Sequence, residues 1–380
     1  MYTNLKGKKI LLLYTAHTSG HMRIAQNIGY WLQRAGGVVV LQEVLKSNPS
    51  PLVKKFLQLH VWVNVHVPEL WNFLYRYGFW IFMMPWRLLV AQLQKTEIEK
   101  CVKSEMPDIV VTTQTAPSAV MSVLKRSGAF VGVWGIAFSD YHFHRAWVYP
   151  RADFYLTNIP EQTAHLLALG VTQEKIFRIG FALPPLPRID TNLVREKIGV
   201  AHTDKIILVG SGSLGVRVPQ NLFDSVEQVV RLLAVEGITG KVVVACGRNA
   251  ELYKSLQARA SAGQEWLVPL SYYEPMEDMY AISSVFITKP GGLSVAEALL
   301  FEVPLCITHT LPGQEDINLL YLEERGMVKN LTLSDTPTTV QCILGMVRSG
   351  GQPVGSARAL VAPDIEAALP EFLSACLGKK

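Results

Sequence analysis

Short apolar runs alternate with stretches of helical spacing along most of the chain, which is the pattern of a doubly wound α/β protein with parallel sheets. Lys9 to Tyr14 reads as a buried strand, followed by a polar loop from Thr15 to His21 and a helix with apolar positions at Ala25, Ile28 and Leu32. Val38 to Val44 predicts the next strand. Asp108 to Thr113 and Phe130 to Trp134 predict two more, on either side of a helix near Pro117 to Arg126. Asp153 to Thr157, a helix over Pro160 to Leu169, and Ile176 to Ile179 complete a first half. The proline-dense stretch Leu183-Pro-Pro-Leu-Pro-Arg188 marks a boundary. A second alternating series starts at Lys205 to Val209 and continues through Lys241 to Ala245, Trp266 to Val268, Val285 to Thr288 and Pro304 to Thr308.

The alternation breaks between Phe56 and Leu93. This segment holds Trp62, Trp71, Trp80 and Trp86, half of the eight tryptophans, and only Glu69, Arg76 and Arg87 carry charge. Leu70 to Leu93 is long enough to tempt a membrane-spanning reading. Two arginines near its middle would cost roughly 2.5–3.5 kcal/mol each at a bilayer centre, and Pro85 interrupts the run. Tryptophan and tyrosine favour the headgroup boundary, so the expectation is a segment lying in the interface, with Trp71, Tyr75, Trp80 and Trp86 in contact with lipid. The competing reading is a buried helix pair of the first domain, against which stands the lack of a polar face.

Composition narrows the class. A chain of 380 residues accommodates roughly two domains. Hydrophobic residues make up 49% and charged residues 18%, apolar for a soluble enzyme, with a mean hydropathy of +0.22. A net charge of +5 suits an anionic lipid surface, while the absence of a basic run interleaved with aromatics argues against nucleic acid. Five scattered cysteines, odd in number and without a C-x-x-C pair, point to a reducing compartment and away from a structural zinc site. The apolar run near the N-terminus is too short for a signal peptide, so a first strand of a cytoplasmic domain is expected.

The candidate chemistry gathers where strands end. Val285 to Thr288 runs into Lys289-Pro-Gly-Gly292, a helical pattern (Val295, Ala298, Leu299) and a further apolar run. Such a turn offers free backbone N–H groups to a phosphate, and glycine allows close approach. Glu297 is read as lying on the first helical turn, where it reaches a sugar hydroxyl. The alternative is a capping box from Ser294 to Glu297. Pro312-Gly-Gln-Glu315 is read as a tight turn carrying two hydrogen-bonding side chains. Gly210-Ser-Gly-Ser-Leu-Gly215 is a literal G-x-G-x-x-G, which by itself says dinucleotide binding. The next strand ends in Cys246-Gly-Arg-Asn, with no acidic residue for a ribose, and this weakens a nicotinamide reading. His21 lies at the carboxyl end of the first strand, the side of an open sheet that lines a ligand crevice. Ser139-Asp140-Tyr-His-Phe-His144-Arg-Ala-Trp147 follows another strand; with one carboxylate near His142 and His144, no metal site is expected.

The run KPGGLSVAEALLFEVPLCITHTLPGQEDINLLYLEERG resembles the donor-site signature of the diacylglycerol glycosyltransferases, the monogalactosyldiacylglycerol synthases and processive diacylglycerol glucosyltransferases, which are related to the lipid II N-acetylglucosaminyltransferase. The resemblance implies a GT-B fold, two Rossmann-like domains with parallel sheets facing a central cleft. It implies an acceptor domain over 1–186 joined by a C-terminal helix at 364–380, and a UDP-sugar domain over 187–363. The implied reaction is inverting transfer of a hexose, glucose or galactose, from a UDP-sugar to the 3-hydroxyl of 1,2-diacylglycerol, by a peripheral enzyme on the cytoplasmic face of a membrane carrying anionic lipid, without a cofactor. His21 matches the family's general base and Asp140 its aspartate, although Ala16-His-Thr-Ser19 replaces the usual glycines before His21. Gly212, Ser213, Arg248, Tyr273, Gly291, Gly292, Leu293, Ser294, Glu297, Gln314 and Glu315 take the implied UDP-sugar roles, and His144 and Trp147 stand on the acceptor side. Two alternatives keep the chain an enzyme: a UDP-N-acetylglucosamine transferase of cell-wall lipid synthesis, and an NAD-dependent oxidoreductase. A catalytically dead lipid-binding protein is the third.

Overall fold

From Ile10 onward every residue of Lys9–Tyr14 (β1) is buried, as expected of a strand covered on both faces. The computed structural model describes residues 5–15, 20–44, 62–63, 67, 69–70, 73, 84–212, 220–311, 313–332, 334–349, 360 and 364–379. The chain divides into two compact units, one of Met1–Pro184, Pro312–Gln314 and Arg358–Lys380, the other of Pro185–Leu311 and Glu315–Ala357.

In the first unit, β1 is joined by Val38–Glu43 (β2), Ile109–Thr112 (β3), Val133–Ala137 (β4), Phe154–Thr157 (β5) and Ile176–Arg178 (β6) in a parallel sheet of order β2-β1-β3-β4-β5-β6. The connections run one way from β1 to β2 and the other way from β3 onward. The order therefore reverses between β1 and β3, which opens a crevice beyond their carboxyl ends. Gly20–Arg34 (α1), Met84–Glu105 (α2), Thr115–Ser127 (α3) and Pro160–Ala168 (α4) are the crossover helices. Pro85 lies within α2. Side chains of β1, β3, α3, β4 and β5 share one apolar core, with Trp134 and Tyr155 fully enclosed.

The strand expected at Phe130 to Trp134 lies three residues later. Gly128 takes a left-handed φ of 73° and caps α3, and the Phe130 N–H returns to the Leu124 carbonyl, so this stretch is spent ending a helix. Pairing starts only at Val133. Ser139 and Asp140 consequently sit just beyond the strand's carboxyl end. The helix Ile365–Gly378 (α5) packs on the same unit: Phe372 stacks on Phe177 at 4.9 Å, and Arg34 of α1 pairs with Glu366.

In the second unit, Lys205–Gly210 (β7), Gly240–Ala245 (β8), Leu267–Leu270 (β9), Val285–Thr288 (β10), Leu305–Ile307 (β11) and Lys329–Asn330 (β12) form a parallel sheet of order β12-β11-β10-β7-β8-β9. The sequence reading had not included β12, only two residues long. Here the order reverses between β7 and β10. The helices are Thr191–Ile198 (α6), Gln220–Val235 (α7), Ala250–Ser261 (α8), Met276–Ile282 (α9), Gly292–Leu300 (α10), Gln314–Glu324 (α11, whose first residue counts with the first unit) and Thr336–Arg348 (α12). Both glycine turns noted in the sequence adjoin this reversal.

Candidate active site

His21 lies in α1. Its carbonyl accepts from Thr113 Oγ1 (3.0 Å), which joins α1 to the residue after β3. The imidazole Nδ1 lies 3.2 Å from Ser139 Oγ, and that hydroxyl donates to Asp140 Oδ2 at 2.9 Å. Ser139 thus links the imidazole to Asp140. Burial lowers the His21 pKa, while the charge of Asp140 and a backbone hydrogen bond with Thr113 pull it back up. The result is an imidazole biased to the neutral form, ready to accept a proton.

Behind it stands an aromatic wall. The Trp147 ring is 6.2 Å from the His21 ring, and Phe138, stacked on Phe143 at 4.3 Å, packs edge-on against Trp147. His144 is buried, and its Nδ1 accepts from the Ala146 N–H (3.1 Å) to cap a short 3₁₀ turn, so this atom serves the loop. Asn158 and Gln162 both donate to the Asp140 carbonyl and hold its backbone. Gln314, which lies within the first unit, donates to Asp140 Oδ2 at 2.6 Å.

In the second unit, Gly291 is the N-cap of α10, and a Cβ built on it would meet nothing within 4 Å. The start of α10 therefore has open space beside Gly291, which has no side chain to cap the helix. Ser294 lies inside the helix, so no capping box with Glu297 exists. Glu297 is buried in the second turn, one turn beyond its expected place, because the helix begins at Gly292. Gly212 has φ +72°, and a side chain there would run into Lys289 Cε at 2.9 Å; the two turns at the β7–β10 reversal touch.

Lys289 pairs with Glu315 Oε1, and Glu315 Oε2 accepts from the Leu311 N–H at 2.8 Å. Gln314 and Glu315 form the first turn of α11, after Gly313 at φ +94°, rather than a free tight turn. Asn318, buried one turn further, donates to the Pro290 carbonyl and ties α11 to the glycine turn. Lys289 had no assigned role in the sequence reading: nothing in the local pattern links residues 26 apart. Arg248 lies over the Tyr272 ring at 5.4 Å. Tyr273 is covered by Lys197 at 4.7 Å and donates to Asp278, and burial with that carboxylate pushes its phenol up to about 12. Ser213, Trp71, Tyr75 and Trp80 lie outside the described residues, as does the Trp86 side chain. Among the described residues, no three His, Cys, Asp or Glu side chains are grouped to hold a metal ion.

Residues 25–183 match the Monogalactosyldiacylglycerol (MGDG) synthase family, and residues 206–345 match the Glycosyltransferase family 28 C-terminal domain. A processive diacylglycerol beta-glucosyltransferase of Bacillus cereus (strain 03BB102) is 25% identical over 328 residues, 85% of this chain and 81% of the relative. A Bacillus mycoides protein of the same name gives the same figures. The chain is similar to the diacylglycerol glycosyltransferases over most of its length. Among solved structures, MurG of Acinetobacter baumannii shares the fold at a TM-score of 0.55 and 15% identity, over 98% of this chain and all of that one (100%). A UDP-GlcNAc 2-epimerase of Neisseria meningitidis gives 0.58 and 12%, over 98% and 100%. The fold of this glycosyltransferase is thus the α/β GT-B type, and the glycosyltransferase match spans Gly210 to Gly215, which removes the nicotinamide reading of that motif.

Proposed function

We propose that the protein transfers a hexose from a UDP-sugar to the 3-hydroxyl of 1,2-diacylglycerol, with inversion at the anomeric carbon, as a peripheral enzyme of an anionic membrane surface. The expected acceptor domain, 1–186 with 364–380, supplies the base and the acceptor site; the expected donor domain, 187–363, holds the nucleotide. The imidazole, hydroxyl and carboxylate assembled at the β1–β3 reversal carry this reading, because they leave a neutral base where a family member needs one. His21 accepts the proton of the lipid hydroxyl while its oxygen bonds to C1. The bond from C1 to the diphosphate oxygen breaks, and its electron pair leaves with UDP. The N–H groups at the start of α10 stabilise the charge that UDP gains. Lys289, paired with Glu315, stands beside Gly212 at the same turn. A UDP donor fits the epimerase neighbour, whose structure was determined with UDP-GlcNAc bound.

Membrane docking has support in the aromatic segment. Trp62 and Phe73 are 51% and 60% exposed, with Val67, Leu70, Leu89 and Leu93 also at the surface. Such grouped apolar exposure marks an interaction surface. Among the described residues no helix is long and apolar enough to cross a membrane. The decisive experiment incubates the protein with diacylglycerol vesicles and labelled UDP-glucose or UDP-galactose and separates the lipids. A labelled monohexosyl lipid is expected; folded protein that labels no lipid from either donor overturns the proposal.

A further inference from the structure

We infer that Ser139 is a positioning residue that sets the tautomer of His21. The inference rests on the proposed role of His21 as base and extends it to a residue that does not touch substrate. A serine hydroxyl has one proton to give. At 2.9 Å from Asp140 Oδ2 that proton goes to the carboxylate, an oxygen that also accepts from Gln314 Nε2. Toward His21 the Ser139 oxygen can then only accept. The 3.2 Å contact with Nδ1 is a hydrogen bond only if Nδ1 carries hydrogen. A neutral imidazole has a single N–H, so Nε2 is left with its lone pair and becomes the basic atom.

The arrangement differs from a carboxylate bonded straight to the imidazole. Asp140 takes the hydroxyl proton, and Ser139 converts that into an orientation of the ring. Its backbone follows β4 at the sheet's carboxyl end, and Asn158 and Gln162 fix the next residue through its carbonyl. Ser139 is buried, so water does not readily replace its hydroxyl.

The test compares wild type with Ser139→Ala and Ser139→Thr. Removing the hydroxyl is expected to lower kcat by roughly 10–100-fold, the loss typical of a group that orients a histidine, with KM for donor and lipid within about twofold. Threonine keeps the hydroxyl and is expected to recover most of kcat. The second readout needs no activity: ¹⁵N-histidine NMR of the wild type, with the His21 signal assigned by its loss in His21→Asn, is expected to report Nδ1–H, and Ser139→Ala to shift it toward Nε2–H. A wild-type His21 already in the Nε2–H form overturns the inference, and so does Ser139→Ala with full kcat. If Ser139→Ala fails to fold, the wild-type spectrum and the threonine variant still decide. If the wild type transfers no hexose, the glycosyl-transfer reading fails alone, because the NMR result stands or falls separately.

Discussion

Protonation of His21 limits the proposed reaction at low pH, and two influences set where. Burial lowers its pKa and the Asp140 charge raises it. Asp140→Asn removes the raising influence, so the acid limb of kcat/KM is expected to move to lower pH even as the plateau rate falls. A pH–rate profile of the variant checks this, and an acid limb displaced upward contradicts it. His21→Ala is expected to cost roughly 10²–10⁴ in kcat, the usual share of a general base, while calorimetric UDP binding stays unchanged. Gly291 separates ligand from fold in the donor unit. Its φ of −72° suits any residue and its surroundings are empty, so Gly291→Val is expected to leave Tm within about 2 °C yet weaken UDP binding by roughly tenfold or more. His21, Asp140 and Gly291 could be picked out in the sequence because each adjoins the end of a recognisable strand. Ser139 could not: its partner is 118 positions away.

At the level of elements, the strands that carry the site are close-packed against one another. Gly135 in β4 lies against the ring of Phe154 in β5, so close that a Cβ would stand 2.1 Å from it. Gly135→Ala therefore forces β4 and β5 apart and is expected to destabilise the protein by about 1–3 kcal/mol, seen as a lowered urea midpoint. The strand lengths and order of alternation were legible from apolar runs, since buried parallel strands are continuous in sequence. Boundaries were less so. β4 shifted because Phe130 closes a helix through a hydrogen bond that periodicity does not encode. Ser294 and Glu297 spell a capping box, yet the helix starts two residues before Ser294 on glycine. The exposed aromatic segment makes its own prediction: replacing Trp62 and Phe73 together by serine is expected to reduce sedimentation with anionic vesicles while leaving Tm unchanged.

For the molecule as a whole, each unit holds a histidine that the fold keeps neutral. Burial, helped by His165 and His144, brings His142 of the first unit down to about 4; burial and the Lys289 charge bring His309 of the second to about 4. Both values lie below the unfolded 6.5, so between pH 6.5 and about 4 the unfolded chain binds protons that the native one refuses. Stability is expected to fall with pH through that window, by on the order of 1 kcal/mol per unit for each histidine at most. Calorimetry of wild type, His142→Gln and His309→Gln checks it: each substitution is expected to flatten the pH dependence. The sequence by itself determined the α/β class, the succession of strands in each half apart from a short edge strand, and the glycine turns, because these are written in contiguous runs. The tertiary structure alone decided which side chains meet: that a serine stands between the imidazole and its aspartate, that Lys289 is paired with Glu315, and that Glu297 is drawn into a second turn. Those pairings depend on where parallel strands reverse their order, and the chain must be folded before that crevice exists.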